Sequence, residues 1–442
     1  SLFWPDFFCS GLSASCLPKA KSIASMIDSG LVLFLGLLVL LCWRFFSQRC
    51  LSKWLIYANY CSILYVILFW LIVYALVLFA ETGILSSVHS ARSNANTVAW
   101  LEPFCAFSPI ALILTYISCS LQTWGHVAKI QDGHAALQHE RVVMIIALPA
   151  IYAVMAMSSL VRMCQVLDDE NTGIKNAGAV KLAMSQSETC FRVGDLYEAW
   201  ALYQFGKLTI ELIKTGIAKQ ENSLVDEQRG AARGLLMAHV AVESQMSLGT
   251  WMFVVVCVLQ SGWSCWMKTF AAPEAIAASL SSDAQFTAAG TVASVAAIYN
   301  VHAVERTYQP YLEGYSPFLK FVSLKMLVSL AFFQRGAFAF LQVFQKTLPS
   351  VLGKILPSMP IMSELINFSK AQFEAFYAAL ILYEIFVIAA LHGWAWNATE
   401  QWYGEYLVDA LGADGVGEAS QESRRIYDAS TNTYKSASAA QA

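Results

Sequence analysis

Runs of some twenty apolar residues, broken by short polar stretches, recur along the whole chain. A helix rises about 1.5 Å per residue, so about 20 mostly apolar residues cross the hydrocarbon core of a bilayer. The pattern predicts about nine such spans: roughly Met26–Phe46, Trp54–Ala80, Trp100–Trp124, Val142–Met163, Arg192–Ile213, Ser247–Met267, Phe286–Val304, Ser316–Val343 and Gln372–Trp396. The first two are apolar on every face and suit the edge of a bundle. The seventh repeats Ala289, Ala293 and Ala297 with Gly290 and Ser294 beside them, a row of small residues that lets helices approach closely, and is expected inside. Between the eighth and ninth, Pro349, Pro357 and Pro360 forbid one continuous helix and predict a short surface or re-entrant segment. The fold class that follows is all-α, a polytopic membrane helix bundle.

Composition agrees with the pattern. Hydrophobic residues make up 57% of the chain and charged residues 13%, where an average soluble domain carries about a quarter charged. The net charge is −3 and no basic cluster stands out, so nucleic acid is not an expected partner and membrane lipids are. The eleven cysteines are scattered, with no CxxC and no paired Cys/His spacing, so no zinc site or disulfide framework is read. Cys164 and Cys190 flank one polar loop and read as two unrelated thiols more readily than as a bridge. Gly30 to Cys42 has the length of a signal core, but "WRFF" follows it, which favours a retained anchor helix. Basic residues after the first and fifth spans, among them Arg44, Arg49, Lys214 and Arg229, favour an outside N-terminus and an inside C-terminus. The "NFS" sequon at Asn367 then faces outward and "NAT" at Asn397 faces the cytoplasm.

The fifth span carries more charge than lipid allows. In "RVGDLYEAWALYQFGKL", Asp195, Ala199, Leu202, Gly206 and Thr209 share one stripe, with Arg192 and Glu198 on its flanks and Tyr203 at its margin. Lys207, Glu211 and Gln204 point elsewhere, so protein or water must cover both faces. Ionised groups at bilayer depth cost several kcal/mol unless paired. The eighth span offers the complementary charges in Lys325 and Arg335, with Gln334 between them and Lys320 near enough to its end to snorkel. If the two spans run in opposite directions, a rise of about 1.5 Å per residue puts Arg335 roughly level with Asp195 and Glu198, and Lys325 within about one turn of the depth of Glu211. Arg335, Glu211 and Lys207 are then structural ion-pair residues. Glu384 in the ninth span is a further intramembrane acid, and Gln260, Asn300 and His302 add neutral polar groups. Together these groups line a hydrated, amphipathic path, or act only as clamps between helices.

Catalytic patterns are missing. The sequence has no GxSxG, no P-loop and no HExxH. His126, His134 and His139 fall in one polar stretch without a carboxylate pattern suited to a metal, and read as solvated loop residues. A lysine in the penultimate of nine spans is weak ground for a retinal Schiff base. No enzymatic activity, metal or cofactor is expected.

Three stretches share an order and spacing with one known family. "DLYEAWALYQF" at Asp195 to Phe205, "YSPFLKFVSLKMLVSLAFFQ" at Tyr315 to Gln334 and "ALPAIYAVMAMSSL" at Ala147 to Leu160 resemble the motifs of the organic solute transporter alpha family, which includes the branch called transmembrane protein 184. The resemblance runs over about residues 100–396. It implies a seven-helix core at 100–396 plus two extra N-terminal transmembrane helices at 26–99, with a segment at 1–25 before them and a polar tail at 397–442. It implies passive movement of amphipathic organic solutes, steroid- or lipid-like anions, in some members with a small single-helix beta-type subunit. Carried over by position, Asp195, Tyr197, Glu198, Tyr203, Lys320, Lys325 and Gln334 are the residues it marks. The cysteine-rich stretch of the family is absent from "KQENSLVDEQRG".

The reading is a non-enzymatic transporter or carrier in which Asp195, Tyr197, Glu198, Tyr203, Lys325, Gln334 and Glu384 line or gate the path. The other reading is an accessory or scaffold subunit of a larger membrane complex that retains the same core. The plasma membrane or an endomembrane is favoured, with an organellar membrane the other setting.

Overall fold

The computed structural model describes residues 53–82, 84, 100–131, 136–171, 177–223, 315–347 and 367–400, with scattered positions between 251 and 312 and at 364–365. Six long helices dominate these residues: α1 (Lys53–Glu81), α2 (Leu101–Gln131), α3 (Ala136–Asn171), α4 (Ala177–Ser223), α5 (Pro317–Thr347) and α6 (Lys370–Ala395). The described residues form an all-helical bundle. The predicted first span, the proline-rich segment after the eighth and the small-residue row Ala289, Ala293 and Ala297 all lie outside the described residues.

Four of the helices, α1, α2, α3 and α6, are long and apolar enough to cross a membrane. Their burial sorts them. All of the most apolar window of α3 is buried, against 28% of that of α1 and 33% of that of α2. Helix α3 is therefore the axis of the bundle, and α1, α2, α4 and α6 pack around it. Helix α1 keeps an outer face of Val66, Trp70 and Val77 exposed, as lipid contact at the periphery requires. Among its buried residues, Tyr65 donates its hydroxyl to the Cys119 carbonyl at 3.2 Å and accepts from Thr123 Oγ1 at 2.7 Å.

Facing pairs give the helix directions. Ser159 with Ser187, Tyr152 with Asp195 and Arg141 with Glu211 make α3 and α4 antiparallel. Lys325 with Glu198 and Phe321 with Phe205 make α5 and α4 antiparallel. Gln122 with Ala389 and His126 with Trp396 make α2 and α6 parallel.

Two internal prolines interrupt backbone bonding, and at the first of them a side chain takes over. Pro109 in α2 cannot donate to the Cys105 carbonyl, and the Ser108 hydroxyl donates there instead at 2.7 Å. Pro149 in α3 cannot donate to the Ile145 carbonyl, and beside that gap the Tyr197 hydroxyl reaches from α4 to the Met144 carbonyl at 2.9 Å. Ser108 is fully buried. Ser108→Ala should cost about 1–3 kcal/mol, the penalty of an orphaned buried carbonyl. Ser108→Thr should retain most of that stability, read by thermal unfolding in detergent. At the start of α6, Ser369 and Gln372 form a capping box, the serine hydroxyl accepting from the Gln372 amide and the glutamine side chain accepting from the Ser369 amide.

Candidate functional site

Helix α4 extends well past both ends of its predicted span, 47 residues in all, about 70 Å at about 1.5 Å per residue. Its central charges point inward. Lys325 Nζ on α5 donates to Glu198 Oε1 at 2.7 Å, with Glu198 1% and Lys325 7% exposed. An ion pair this dry is attracted strongly, but the attraction competes with the loss of water around both charges. Three residues back along α4, Asp195 Oδ1 accepts from the Tyr152 hydroxyl of α3 at 2.7 Å. Gly194 makes that approach possible, since a Cβ there would lie 2.6 Å from the Tyr152 ring. Farther along α5, the Gln334 amide donates to the Glu384 carboxylate of α6.

A second polar layer lies toward the end of the bundle where α6 terminates. Arg141 on α3 pairs with Glu211 on α4 at 2.6 Å. His126 on α2 and His139 on α3 face each other, Nδ1 to Nδ1 2.9 Å, both 1% exposed. His126 Nε2 lies 3.0 Å from the Trp396 carbonyl. A carbonyl only accepts, so Nε2 carries the proton; neutral His126 then accepts at Nδ1 from the Nδ1–H of His139. Lys320 on α5 donates to both Glu400 oxygens, at 2.8 and 3.1 Å, and to the Tyr315 carbonyl at 2.8 Å. Burial holds the Tyr315 phenol well above its usual range against a smaller opposing pull from Thr209, so it stays neutral.

The structure brings Glu198, Lys325, Asp195 and Tyr197 into one buried region and joins Gln334 to Glu384, but it redraws the pairings. Glu198 takes Lys325, not Arg335, and Glu211 takes Arg141, not Lys325. The helices are displaced by about ten residues, nearly three turns or about 15 Å, from the register that the depths of the two spans suggest. Arg335 lies in α5 with its side chain outside the described residues. Lys207 meets no carboxylate among the described residues; its ammonium lies 5.7 Å from the centre of the Tyr203 ring, which in turn stacks on Trp200. Lys320 is 1% exposed and does not snorkel. His126 and His139 are helix residues in the interior rather than solvated loop residues, because α2 runs on to Gln131 and α3 begins at Ala136. Cys164 and Cys190 are both buried thiols. Tyr152, Arg141, His126, His139 and Glu400 are the partners that sequence reasoning missed. The one available signal was the polar cluster "LQHER" just ahead of an apolar span.

Apolar helices of spanning length, packed around a dry acid–base pair, define a multi-pass integral membrane protein. The chain belongs to the organic solute transporter family: the family model described as Organic solute transporter Ostalpha matches residues 178–401, just over half of its length. That match takes in α5, α6 and all but the first residue of α4, and with them Glu198, Lys325, Gln334, Glu384, Lys320 and Glu400. No curated protein and no solved structure is matched by the chain.

Proposed function

We propose that this protein carries amphipathic organic solutes, steroid- or lipid-like anions, passively across its membrane, through a seven-helix core to which two N-terminal helices are added. The observation that carries the reading is the Glu198–Lys325 pair, which lies inside the family-matched segment and is almost fully withdrawn from solvent. Two ionised groups are expensive to keep in a dry interior, and ionisable residues at membrane depth mark solute paths more often than they add stability. Asp195, Tyr197, Tyr203, Gln334 and Glu384 extend the polar surface above and below the pair. In this reading the chemistry is non-covalent. Exchange of the Glu198–Lys325 contact for contacts with a solute headgroup offers the anion a counter-charge at mid-path.

The test is flux in proteoliposomes containing the purified chain alone. A dansyl-labelled undecanoate should move down its gradient in either direction, and unlabelled solute on the far side should speed its entry. Glu198→Asp, which keeps the charge but shortens its reach, should lower the rate without loss of folded protein. If the chain folds, stays pure and yields no flux, the carrier reading fails. Obligate co-purification with a large complex would then favour the accessory-subunit reading.

A further inference from the structure

The chain does not leave the bundle when α6 ends. Trp396 is 1% exposed; its carbonyl accepts from His126, and its indole N–H donates to Ser323 Oγ at 3.2 Å. Its ring meets Phe205 of α4 edge-on. Two residues on, Ala398 packs beside Gly125 of α2, where a Cβ would sit 3.5 Å from that of Ala398. Glu400 then reaches Lys320. Residues 396–400 thus form a strap across α2, α4 and α5 at the end of the bundle, held by contacts that can break without unwinding a helix.

The Lys320 seat is asymmetric. The lysine side chain is 1% exposed and the Glu400 side chain 23% exposed, so the anion covering the buried cation is itself within reach of water. Lys320 Nζ also lies 4.8 Å from the Tyr315 ring centre and 5.5 Å from that of Trp396. An ammonium has three donors. One goes to the Tyr315 carbonyl, and lifting the strap returns the donors now given to Glu400. What remains is a cation held at the Tyr315 carbonyl and beside the Tyr315 ring, a seat for a carboxylate attached to an apolar body. Lys325 with its own carboxylate follows five residues along α5, about 7.5 Å deeper.

We propose that Lys320 is a recognition site for the carboxylate of an amphipathic organic anion, and that the 396–400 strap keeps this end of the bundle closed by seating Glu400 in that site until the anion displaces it. The proposal rests on the carrier reading and adds the residue at which the solute first binds and the segment that must yield.

A disulfide tests it, because the Gly125 and Ala398 positions match the Cβ spacing of about 3.5–4.5 Å that a bridge requires. Gly125→Cys with Ala398→Cys, in the full chain, is oxidised with copper phenanthroline and the bridge verified by mass spectrometry against both single-cysteine variants. The probe is dansyl undecanoate, read by its fluorescence on binding, with the neutral dansyl undecanamide as control. The reduced protein should bind the carboxylate, the bridged protein should bind it at least about tenfold more weakly, and dithiothreitol should restore binding. Glu400→Gln, which withdraws the resident charge, should bind about tenfold more tightly, the range for loss of a charged hydrogen-bonding competitor. Equal binding by bridged and reduced protein, absence of the bridge, or unchanged affinity in Glu400→Gln would each overturn the proposal. Binding that follows the bridge while proteoliposome flux stays absent would leave the seat standing and overturn the carrier reading. If the double-cysteine variant does not fold, Glu400→Gln alone decides.

Discussion

Replacing Glu198 by methionine should lower the stability of the protein by about 3–5 kcal/mol, because Lys325 would be left charged and without its 2.7 Å acceptor in a dry interior. Lys325→Met should cost a similar amount by stranding Glu198. The double variant should recover most of that loss, since two apolar side chains of comparable length fill the space without any desolvation penalty. Thermal unfolding in detergent over the four proteins closes a double-mutant cycle, and the coupling should be large. Strictly additive single losses would mean that the pair does not form. In the double variant stability and function should part: the fold returns, while flux does not, because the counter-charge for the solute is gone. A protein that regained both would show the pair to be an interhelical clamp.

Gly194→Ala should be strongly destabilising for a one-carbon change. The added Cβ would sit 2.6 and 2.7 Å from two carbons of the Tyr152 ring, and that ring is 2% exposed and packed against Phe191. Alanine favours a helix over glycine by about 1 kcal/mol, which works in the opposite direction. Overpacking costs about 1–3 kcal/mol, and displacement of the ring also breaks the Tyr152 bond to Asp195, a charged acceptor worth about 1.5–3 kcal/mol. The net expectation is a loss of about 2–4 kcal/mol. Its sign should reverse in a Tyr152→Ala background, where no ring stands in the way and only the helix preference remains. Thermal unfolding of the four proteins checks this, and a loss that persisted without the ring would refute the packing argument.

Apolar run length was enough to locate the long helices among the described residues. Residues 54–80, 142–163 and 372–396 were read as spans, and α1, α3 and α6 stand there with ragged ends. Those ends hid much of the candidate site. The last turns of α2 and the first of α3 are polar in sequence and read as loop. In the structure His126 and His139 satisfy one another across the helix pair, and no water is required. The composition of α4 showed that Asp195, Glu198, Lys207 and Glu211 need company, but not whose. Opposite charges are interchangeable at the level of sequence, and register between α4 and α5 is set by the packing of side chains such as Phe205 against Phe321. Glu400 was unreadable for a different reason. It stands 80 residues from Lys320, at the head of a tail whose composition resembles linker, and only the burial of Trp396 brings it back.

The distance in sequence between Glu198 and Lys325 has a consequence for how the protein is made. The two are 127 residues apart, and a ribosome adding about 5–20 residues per second needs about 6 to 25 s to travel from one to the other. Helix α3, apolar over its whole spanning stretch, can wait among lipids during that interval. Helix α4 is complete well before the lysine that pairs its Glu198. The Glu198–Lys325 contact therefore closes only once α5 has been synthesised, which makes it a late step in the assembly of the bundle.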